Sequence, residues 1–171
     1  SDLDGLNPAV RDLAVLMITL SDNIAANLLI DRVGMSQINS ELQAMEMKHT
    51  VLQRKMMDSQ AKERGLDNYT SAGDMQKLMK AILESSFRGD ILDILFRQQC
   101  NNKLPALMEG GVRFAHKTGD LPGVEHDAGI ICTDDREIIA IVLTDELADN
   151  REGSWLNQEI GKLINSELIR E

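Results

Sequence analysis

The sequence predicts an α+β fold in which a helical lobe is followed by a small antiparallel sheet that a final helix covers. Through about residue 111, apolar residues recur at the spacing of helices that bury one face. Three strand-like runs follow, and the short turns between them favour an antiparallel meander. Helices followed by strands are typical of the α+β class. We therefore predict two lobes, residues 1–111 and 112–171, that together form one domain.

The first three helices are predicted from start and stop signals. Asn7-Pro8 is typical of a helix start, because asparagine caps the first turn and proline is tolerated at its first position. A second helix follows Ser21-Asp22-Asn23 and should end at Gly34, since glycine favours helix C-termini. Ser36 is expected to cap a third helix that runs to about Met47.

The middle of the chain is predicted to hold a long loop and two more helices. Residues 48–68 have weak periodicity and mixed charge, which is typical of an irregular loop that carries function. Thr70 should cap a helix that runs to about Leu83, and another helix should begin at Gly89-Asp90. A short helical turn around Pro105 precedes the strands.

Three strands and one helix complete the predicted fold. The strands are expected at Arg113–Gly119, Asp127–Thr133 and Glu137–Thr144, with the first at one end of the sheet unless another segment pairs with it. A final helix from about Ser154 to Leu168 should cover one face of the sheet. Its apolar stripe comprises Leu156, Ile160, Leu163, Ile164 and Leu168.

Composition and charge exclude several classes of function. The net charge is −10 and aromatic residues make up 3%, so the chain is a poor candidate for binding phosphate backbones or stacking on bases. No apolar run is long enough to span a membrane. His49, His116 and His126 do not follow a metal-ligand spacing, and we predict neither a metal nor another cofactor. Cys100 and Cys132 could form a disulfide or could be two buried thiols.

Two short polar motifs are candidates for a site. Lys117-Thr118-Gly119 places an ammonium, a hydroxyl and a glycine in a row, so a ligand backbone could approach while the cation and the hydroxyl bind its charged group. Ser21-Asp22-Asn23 lies between two apolar helices and is well explained as a capping turn. Its place at the end of a predicted core would also suit a cleft.

Together these motifs resemble those of class A β-lactamases and penicillin-binding proteins, whose signature combines S-D-N and K-T-G with S-x-x-K. The stretch from Leu16 to Gly34 is similar to the family's helix around S-D-N, and the stretch from Leu104 to Gly119 to its approach to K-T-G. The resemblance extends from about Leu6 to the final helix. It implies a β-lactamase/transpeptidase-like fold and a serine hydrolase that acts by acyl transfer on β-lactams or D-alanyl peptides.

The resemblance also implies roles for individual residues. Ser21 would relay a proton to the leaving nitrogen, and Lys117 would hold Ser21 and attract the substrate carboxylate. Asn23 would hydrogen-bond the substrate amide.

The three residues that follow Lys117 would also contact the substrate. The Thr118 hydroxyl would bind its carboxylate, Gly119 would leave room for it along the strand, and the Asp120 N–H would donate to the oxyanion.

Two departures from the family pattern affect these expectations. The family's S-x-x-K precedes S-D-N, whereas the stretch from Ser59 to Lys62 follows it and is interpreted as a coincidence. We therefore expect the nucleophile, its helix and the first strands of the sheet to lie outside this chain, which would leave one sheet edge open.

The second departure concerns deacylation. The family's loop pattern, Arg-x-Glu-x-x-Leu-Asn, supplies a glutamate that activates water, but here Arg54 is followed by Met56 at that position. Methionine cannot act as a base. Asp58 or Glu63 could take its place only with a different path of the loop, and this chain alone is expected to be inactive.

Three hypotheses follow. The leading one is the acyl-transfer enzyme. The second is a non-catalytic module that binds a β-lactam or peptidoglycan fragment through Lys117 and Thr118. The third is a fragment that needs a complementary N-terminal segment or associates with itself through the open edge. The family is usually exported, which implies a periplasmic or secreted location. From the composition we expect neither a nucleic-acid partner nor a membrane span.

Overall fold

The computed structural model describes residues 8–109 and 111–169, with side chains described through Glu167. Within these ranges the chain forms seven α-helices, one 3-10 helix and a three-stranded antiparallel sheet, which confirms the predicted α+β class. None of the described helices is both long and apolar enough to cross a membrane. Cys100 and Cys132 are free thiols, which excludes the disulfide, and both are half-buried rather than buried.

The described chain divides into two compact units, one ending at Tyr69 and one beginning at Thr70. The predicted lobes, in contrast, separate helices from strands after residue 111. The two divisions differ because the helices after Thr70 pack against the sheet. Periodicity identifies a helix that buries one face, but it does not show which element that face contacts.

The first unit contains four helices, α1 Val10–Thr19, α2 Asn23–Val33, α3 Met35–Ala44 and α4 Ser59–Glu63. The N-cap of α1 is Ala9, and the predicted cap Asn7 lies outside the described residues. Gly34 has φ +89° and ends α2 as predicted, but it also directly precedes α3. Ser36 therefore lies inside α3 and does not cap it, and α3 ends before Met47.

The loop predicted as irregular is closed at its base and contains α4. Val51 and Tyr69 exchange two backbone hydrogen bonds of 3.0 and 3.1 Å. Just inside this bridge, the Asn68 side chain accepts hydrogen bonds from the N–H groups of Gln53 and Arg54, at 2.8 and 3.0 Å. Local side-chain bonds thus replace the regular ladder that this segment lacks.

The second unit comprises α5 Ala72–Glu84, α6 Arg88–Leu95, a 3-10 helix Leu104–Leu107, β1 Arg113–Leu121, β2 Val124–Cys132, β3 Glu137–Val142 and α7 Asn150–Ile169. The strands pair in the order β1-β2-β3, with β1 at one end of the described sheet as predicted. Ser71, and not Thr70, caps α5 by accepting a hydrogen bond from the N–H of Asp74 at 3.2 Å.

The core of the second unit lies between the sheet, the 3-10 helix and α7. Its buried centre consists of Leu104, Phe114, Ile131 and Ala140. From α7, Ile160 and Ile164 pack against this centre, as the predicted stripe requires.

For two other members of the predicted stripe, the expected burial is wrong. Leu156 and Leu163 are 40% and 62% exposed, whereas Gly153, Asn157 and Gly161 are buried. A small face lets α7 approach the 3-10 helix so closely that a Cβ at Gly161 would lie 1.9 Å from the Leu104 oxygen. The side chain of the last predicted member, Leu168, lies outside the description.

We expect Gly161→Ala to lower the free energy of unfolding by roughly 1–3 kcal/mol or more, because backbone must move to admit the methyl group. Urea denaturation measures the change. Gly89→Ala is the matched control, since a Cβ there meets nothing within 4 Å. The free energy of unfolding of this variant should rise by about 0.4–1 kcal/mol, because alanine favours the helix over glycine. Equal stability of the Gly161 variant and the wild type would contradict this packing.

Candidate functional site

The S-D-N tripeptide forms the junction between α1 and α2. Asp22 caps α2, since its Oδ1 accepts a hydrogen bond from the Ala25 N–H at 2.7 Å, as the capping interpretation requires. Ser21 has φ +53°, a left-handed conformation that costs a non-glycine residue on the order of 1–3 kcal/mol. Ser21 and Asn23 are both exposed. Backbone strain at an exposed hydroxyl is a feature that capping alone does not require.

A residue that the sequence analysis missed fixes the loop to α2. Asn27 donates from Nδ2 to the Met56 oxygen at 3.0 Å and accepts from the Met56 N–H at 2.8 Å. Because Asn23 and Asn27 are one helical turn apart, they lie on the same face of α2. The backbone at Met56 is therefore held beside the helix face that carries Asn23. An amide inside an otherwise apolar helix was the available signal.

An ion pair stabilises the other end of this loop. Arg54 donates from Nε to Asp67 Oδ1 at 2.8 Å, and its second nitrogen lies 2.7 Å from the same oxygen. The N–H of Asn68 lowers the pKa of Asp67 below its usual 3.8, and Arg54 lowers it further. A carboxylate with a lowered pKa stabilises the fold above its unfolded pKa, so this contribution is lost as the pH falls through its folded pKa.

The S-x-x-K match at Ser59 to Lys62 belongs to the same loop network. Ser59 and Lys62 are exposed on α4, and Lys62 Nζ lies 3.6 Å from Asp67 Oδ2. This arrangement supports the interpretation of the match as a coincidence. Neighbouring Met57 is 80% exposed and has φ +63°, so it is presented outward from the loop.

In the second unit, β1 carries four of the predicted site residues, Lys117 to Asp120. Lys117 is half-buried, and its long stem brings Nζ to the strand edge, where it donates to the Thr118 oxygen at 2.6 Å. Burial lowers the pKa of Lys117, while Cys100 and Asp120 oppose that effect. A lysine with a lowered pKa gives up its proton more easily, which suits acid–base chemistry.

Thr118 is 5% exposed, and among the described residues its Oγ1 atom has no hydrogen-bond partner. An unpaired buried hydroxyl costs about 1–3 kcal/mol, so its retention calls for an explanation. At Gly119, a Cβ would meet the nearest described side-chain atom, of His126, at 3.6 Å, which is ordinary contact. Packing within this unit thus does not require glycine there.

A buried lysine that the sequence analysis also missed lies behind these residues. Lys103 is 1% exposed, and its Nζ contacts the oxygens of Gly119 at 2.9 Å and His126 at 3.1 Å. It forms ion pairs with Asp120 and, at 2.6 Å, with Glu125 Oε2. The Glu125 oxygen lacks a well-angled hydrogen bond, so this ion pair is what satisfies it. A lysine next to Leu-Pro gives no sequence signal, because such lysines are usually exposed.

His116 is buried and is held by contacts with three other side chains. Its Nδ1 lies 2.7 Å from Asp127 Oδ1, its Nε2 lies 3.1 Å from Asn101 Oδ1, and its ring stacks on Phe114. The described part of the chain contains no group of three histidine, cysteine or carboxylate side chains placed to hold a metal ion.

A cavity of about 390 Å³ lies elsewhere in this unit, at the start of α7, and is lined by Glu125, Asn150, Arg151, Ser154, Trp155 and Gln158. None of the predicted site residues lines it.

The structure therefore places the predicted site residues in two groups. Ser21 and Asn23 lie at the α1–α2 junction of the first unit, with Met56 held to the same helix. Lys117 to Asp120 lie on β1 of the second unit. The interaction of Ser21 with Lys117 stays a prediction.

We expect Asn27→Ala to release the loop at Met56, because two backbone groups lose their partner. The free energy of unfolding should fall by about 1–3 kcal/mol, and the Met56 amide should exchange its hydrogen faster. Hydrogen-exchange NMR measures the second effect. Gln37→Ala on the exposed face of α3 is the control, and equal Met56 exchange in both variants would rule out the role of Asn27.

Solved structures with the same fold are numerous. The structure of PBP-A has a TM-score of 0.84 and 30% identity, over 96% of this chain and 63% of that one. A β-lactamase from Sphaerobacter thermophilus has a TM-score of 0.82 and 31% identity, over 92% of this chain and 62% of that one. A PBP-A mutant, solved as an acyl-enzyme complex with penicillin-G, has a TM-score of 0.84 and 29% identity, over 99% and 66%.

The chain thus spans just under two thirds of the length of these solved relatives. A comparison with curated proteins gave no significant match. The family model described as the beta-lactamase enzyme family, in contrast, matches residues 1–168. With this match over nearly its whole length and a shared fold, the chain belongs to the β-lactamase enzyme family.

Proposed function

We propose that the protein is a β-lactamase-related serine hydrolase that acts by acyl transfer on β-lactams or D-alanyl peptides, with a nucleophilic serine outside this chain. The observation that carries the proposal is the buried, unpaired Thr118 hydroxyl beside Lys117 on an end strand. A substrate carboxylate at that edge would accept a hydrogen bond from the hydroxyl and pair with the ammonium. The acyl-enzyme complex of a PBP-A mutant with penicillin-G supports this class of ligand.

The other proposed roles follow the family resemblance. Ser21 relays a proton to the leaving nitrogen, and Lys117 holds Ser21 and attracts the carboxylate. Asn23 hydrogen-bonds the substrate amide. Gly119 leaves space beside the strand, and the Asp120 N–H stabilises the oxyanion.

Deacylation is proposed to be slow. Met56 has no basic atom to activate water, although Asn27 holds its backbone firmly beside α2. An acylated form should therefore accumulate, so we infer that the protein binds penicillin covalently and hydrolyses it poorly.

A non-catalytic binding module is the second candidate, favoured by Met56 and by a carboxylate site that needs no nucleophile. A fragment that requires a complementary N-terminal segment, or self-association, is the third. It is supported by the share of the relatives that the chain spans, and by the exposed apolar residues Ile24 and Leu28 one turn apart on α2. A periplasmic or secreted location is proposed from the family alone.

The reading frame upstream of Ser1 separates these hypotheses. An S-x-x-K motif at the start of a helix there would favour the enzyme. A frame that encodes none would favour the binding module or the fragment.

The protein as encoded, with the residues that precede Ser1, should gain the mass of penicillin in intact-mass spectrometry. Thr118→Val should slow this acylation by about 10- to 100-fold, because a charge-assisted hydrogen bond is lost. Its stability should be unchanged or higher, since the replaced hydroxyl is buried and unpaired. Thr133→Val, in the β2–β3 turn, is the control. If the wild type gives no adduct and no hydrolysed drug, the enzyme hypothesis is refuted.

Met56→Glu should accelerate loss of the adduct, because a carboxylate on a fixed backbone can act as a general base, an effect of about 10²- to 10⁴-fold. Hydrolysed penicillin over time measures it. Met57→Glu is the matched control, since that neighbouring side chain is 80% exposed. If both variants, or neither, hydrolyse faster than the wild type, Met56 is not at the position of the base.

A further inference from the structure

We propose that Lys103 is a positioning residue that polarises the peptide group between Gly119 and Asp120 and so strengthens the Asp120 N–H as an oxyanion donor. The inference rests on the proposed function, because that function supplies the oxyanion. The ammonium of Lys103 contacts the four protein oxygens described above, and its action on a substrate passes through this one peptide group.

The Lys103 ammonium lies at the carbonyl end of the Gly119–Asp120 peptide group, opposite to its N–H. Lys103 Nζ donates to the Gly119 oxygen at 2.9 Å, and this carbonyl belongs to the same peptide group as the Asp120 N–H. The described chain contains no cis peptide, so the C=O and N–H of this group point in opposite directions. A cation on the oxygen therefore leaves the N–H free to face the other side.

The strand register shows which side that is. Asp120 is opposite Glu125, whose N–H bonds to Thr144 Oγ1 at 2.9 Å, and whose oxygen accepts from the same hydroxyl at 2.6 Å. Glu125 thus directs its backbone groups away from β1, which makes this a non-hydrogen-bonded pair. In such a pair the backbone groups of Asp120 also point away from their partner strand. Because β1 is at the end of the described sheet, the Asp120 N–H faces the edge where Lys117 Nζ also lies.

The charge on Lys103 makes its effect larger than that of a neutral donor. A charged donor hydrogen-bonds about twice as strongly as a neutral one, and hydrogen bonds in series strengthen each other by about 10–30%. Lys103 is 1% exposed, so water screens it little. Polarisation of the Gly119 carbonyl increases the positive charge on the Asp120 hydrogen, which is where an oxyanion would develop.

Two carboxylates fix the position of the ammonium. Glu125 Oε2 lies 2.6 Å from it, and the other oxygen of Glu125 accepts from Asn150 Nδ2 at 2.8 Å, which ties it to the start of α7. Asp120 pairs with Lys103 through its own side chain. The two ion pairs thereby hold the Lys103 ammonium at the Gly119 oxygen, although the lysine side chain is flexible.

The test compares two variants with opposite expected effects. In the double variant Lys103→Met with Glu125→Gln, the ammonium and its buried carboxylate partner are removed together, so the only carboxylate that loses its partner is that of Asp120, whose side chain is 59% exposed. In the protein as encoded, with the residues that precede Ser1, the Asp120 amide proton of this double variant should move upfield in NMR spectra. Glu125→Gln alone leaves the cation less neutralised, and should move the same resonance downfield. Lys80→Met, an exposed lysine of α5, is the control and should leave it unchanged.

In the protein as encoded, the double variant should acylate with penicillin about tenfold more slowly at unchanged substrate affinity. That loss is smaller than the roughly 10²- to 10³-fold cost of removing an oxyanion donor. The ester carbonyl of the acylated variant should absorb at a higher infrared frequency, because it is less polarised. A merely structural lysine would not change that frequency.

An Asp120 resonance that stays in place in both variants, with the other β1 amides unchanged, would overturn the proposal. If the double variant fails to fold, the direction of the shift in Glu125→Gln decides alone. If the wild type is not acylated, the proposed function fails, but the amide shifts still determine whether Lys103 polarises this peptide.

Discussion

The buried ammonium of Lys103 is the interaction on which the second unit most depends. A cation removed from water is tolerated only when surrounding oxygens replace its hydration, and here two carboxylates and two backbone carbonyls do so. These oxygens come from β1 and β2, and Asn150 connects one of the carboxylates to α7. The strand that carries the K-T-G motif is therefore fixed by contacts on the side of β2, away from the edge that pairs with no other described strand.

The adjacent residue extends the same constraint into the core. The Leu104 N–H donates to Asp127 Oδ2 at 3.2 Å, while the Leu104 oxygen lies so close to Gly161 that no side chain fits between them. Asp127 in turn holds His116, the residue before Lys117. One short segment thus contacts β1, β2 and α7 through side chain and backbone together. This explains why a small face on α7, rather than its largest leucines, is buried.

In the first unit, side-chain amides hydrogen-bond to backbone that lacks regular secondary structure. Asn27 holds the loop at Met56, and Asn68 holds it where the loop closes. The backbone at Met56 is held to α2 although methionine, at the position where the resemblance implies the family's glutamate, cannot act as a base. Support for the backbone and chemistry of the side chain are separable, since the first depends on main-chain atoms that any residue supplies.

Much of this protein follows from local sequence. The helices and strands were predicted because their apolar spacing is set by elements that bury one face, and the motifs could be recognised because family chemistry needs particular residues in a row. Helix ends were less accurate, as at Ser36, since several residues near an end can cap it. That Met56 cannot act as a base also follows from the sequence, because basicity is a property of a single side chain.

Tertiary structure alone decided which faces meet and which polar groups are buried. Lys103 and the small face of α7 carried no distinctive local signal, since a lysine is usually exposed and a glycine usually marks a turn or a helix end. Asn27 offered an amide inside an otherwise apolar helix, but nothing local showed which backbone it holds. Their importance arises from partners tens of positions away in the chain, and local spacing contains no information about such partners. The sequence by itself determined the family and the residues of the K-T-G strand, but only the folded chain shows what holds that strand in place.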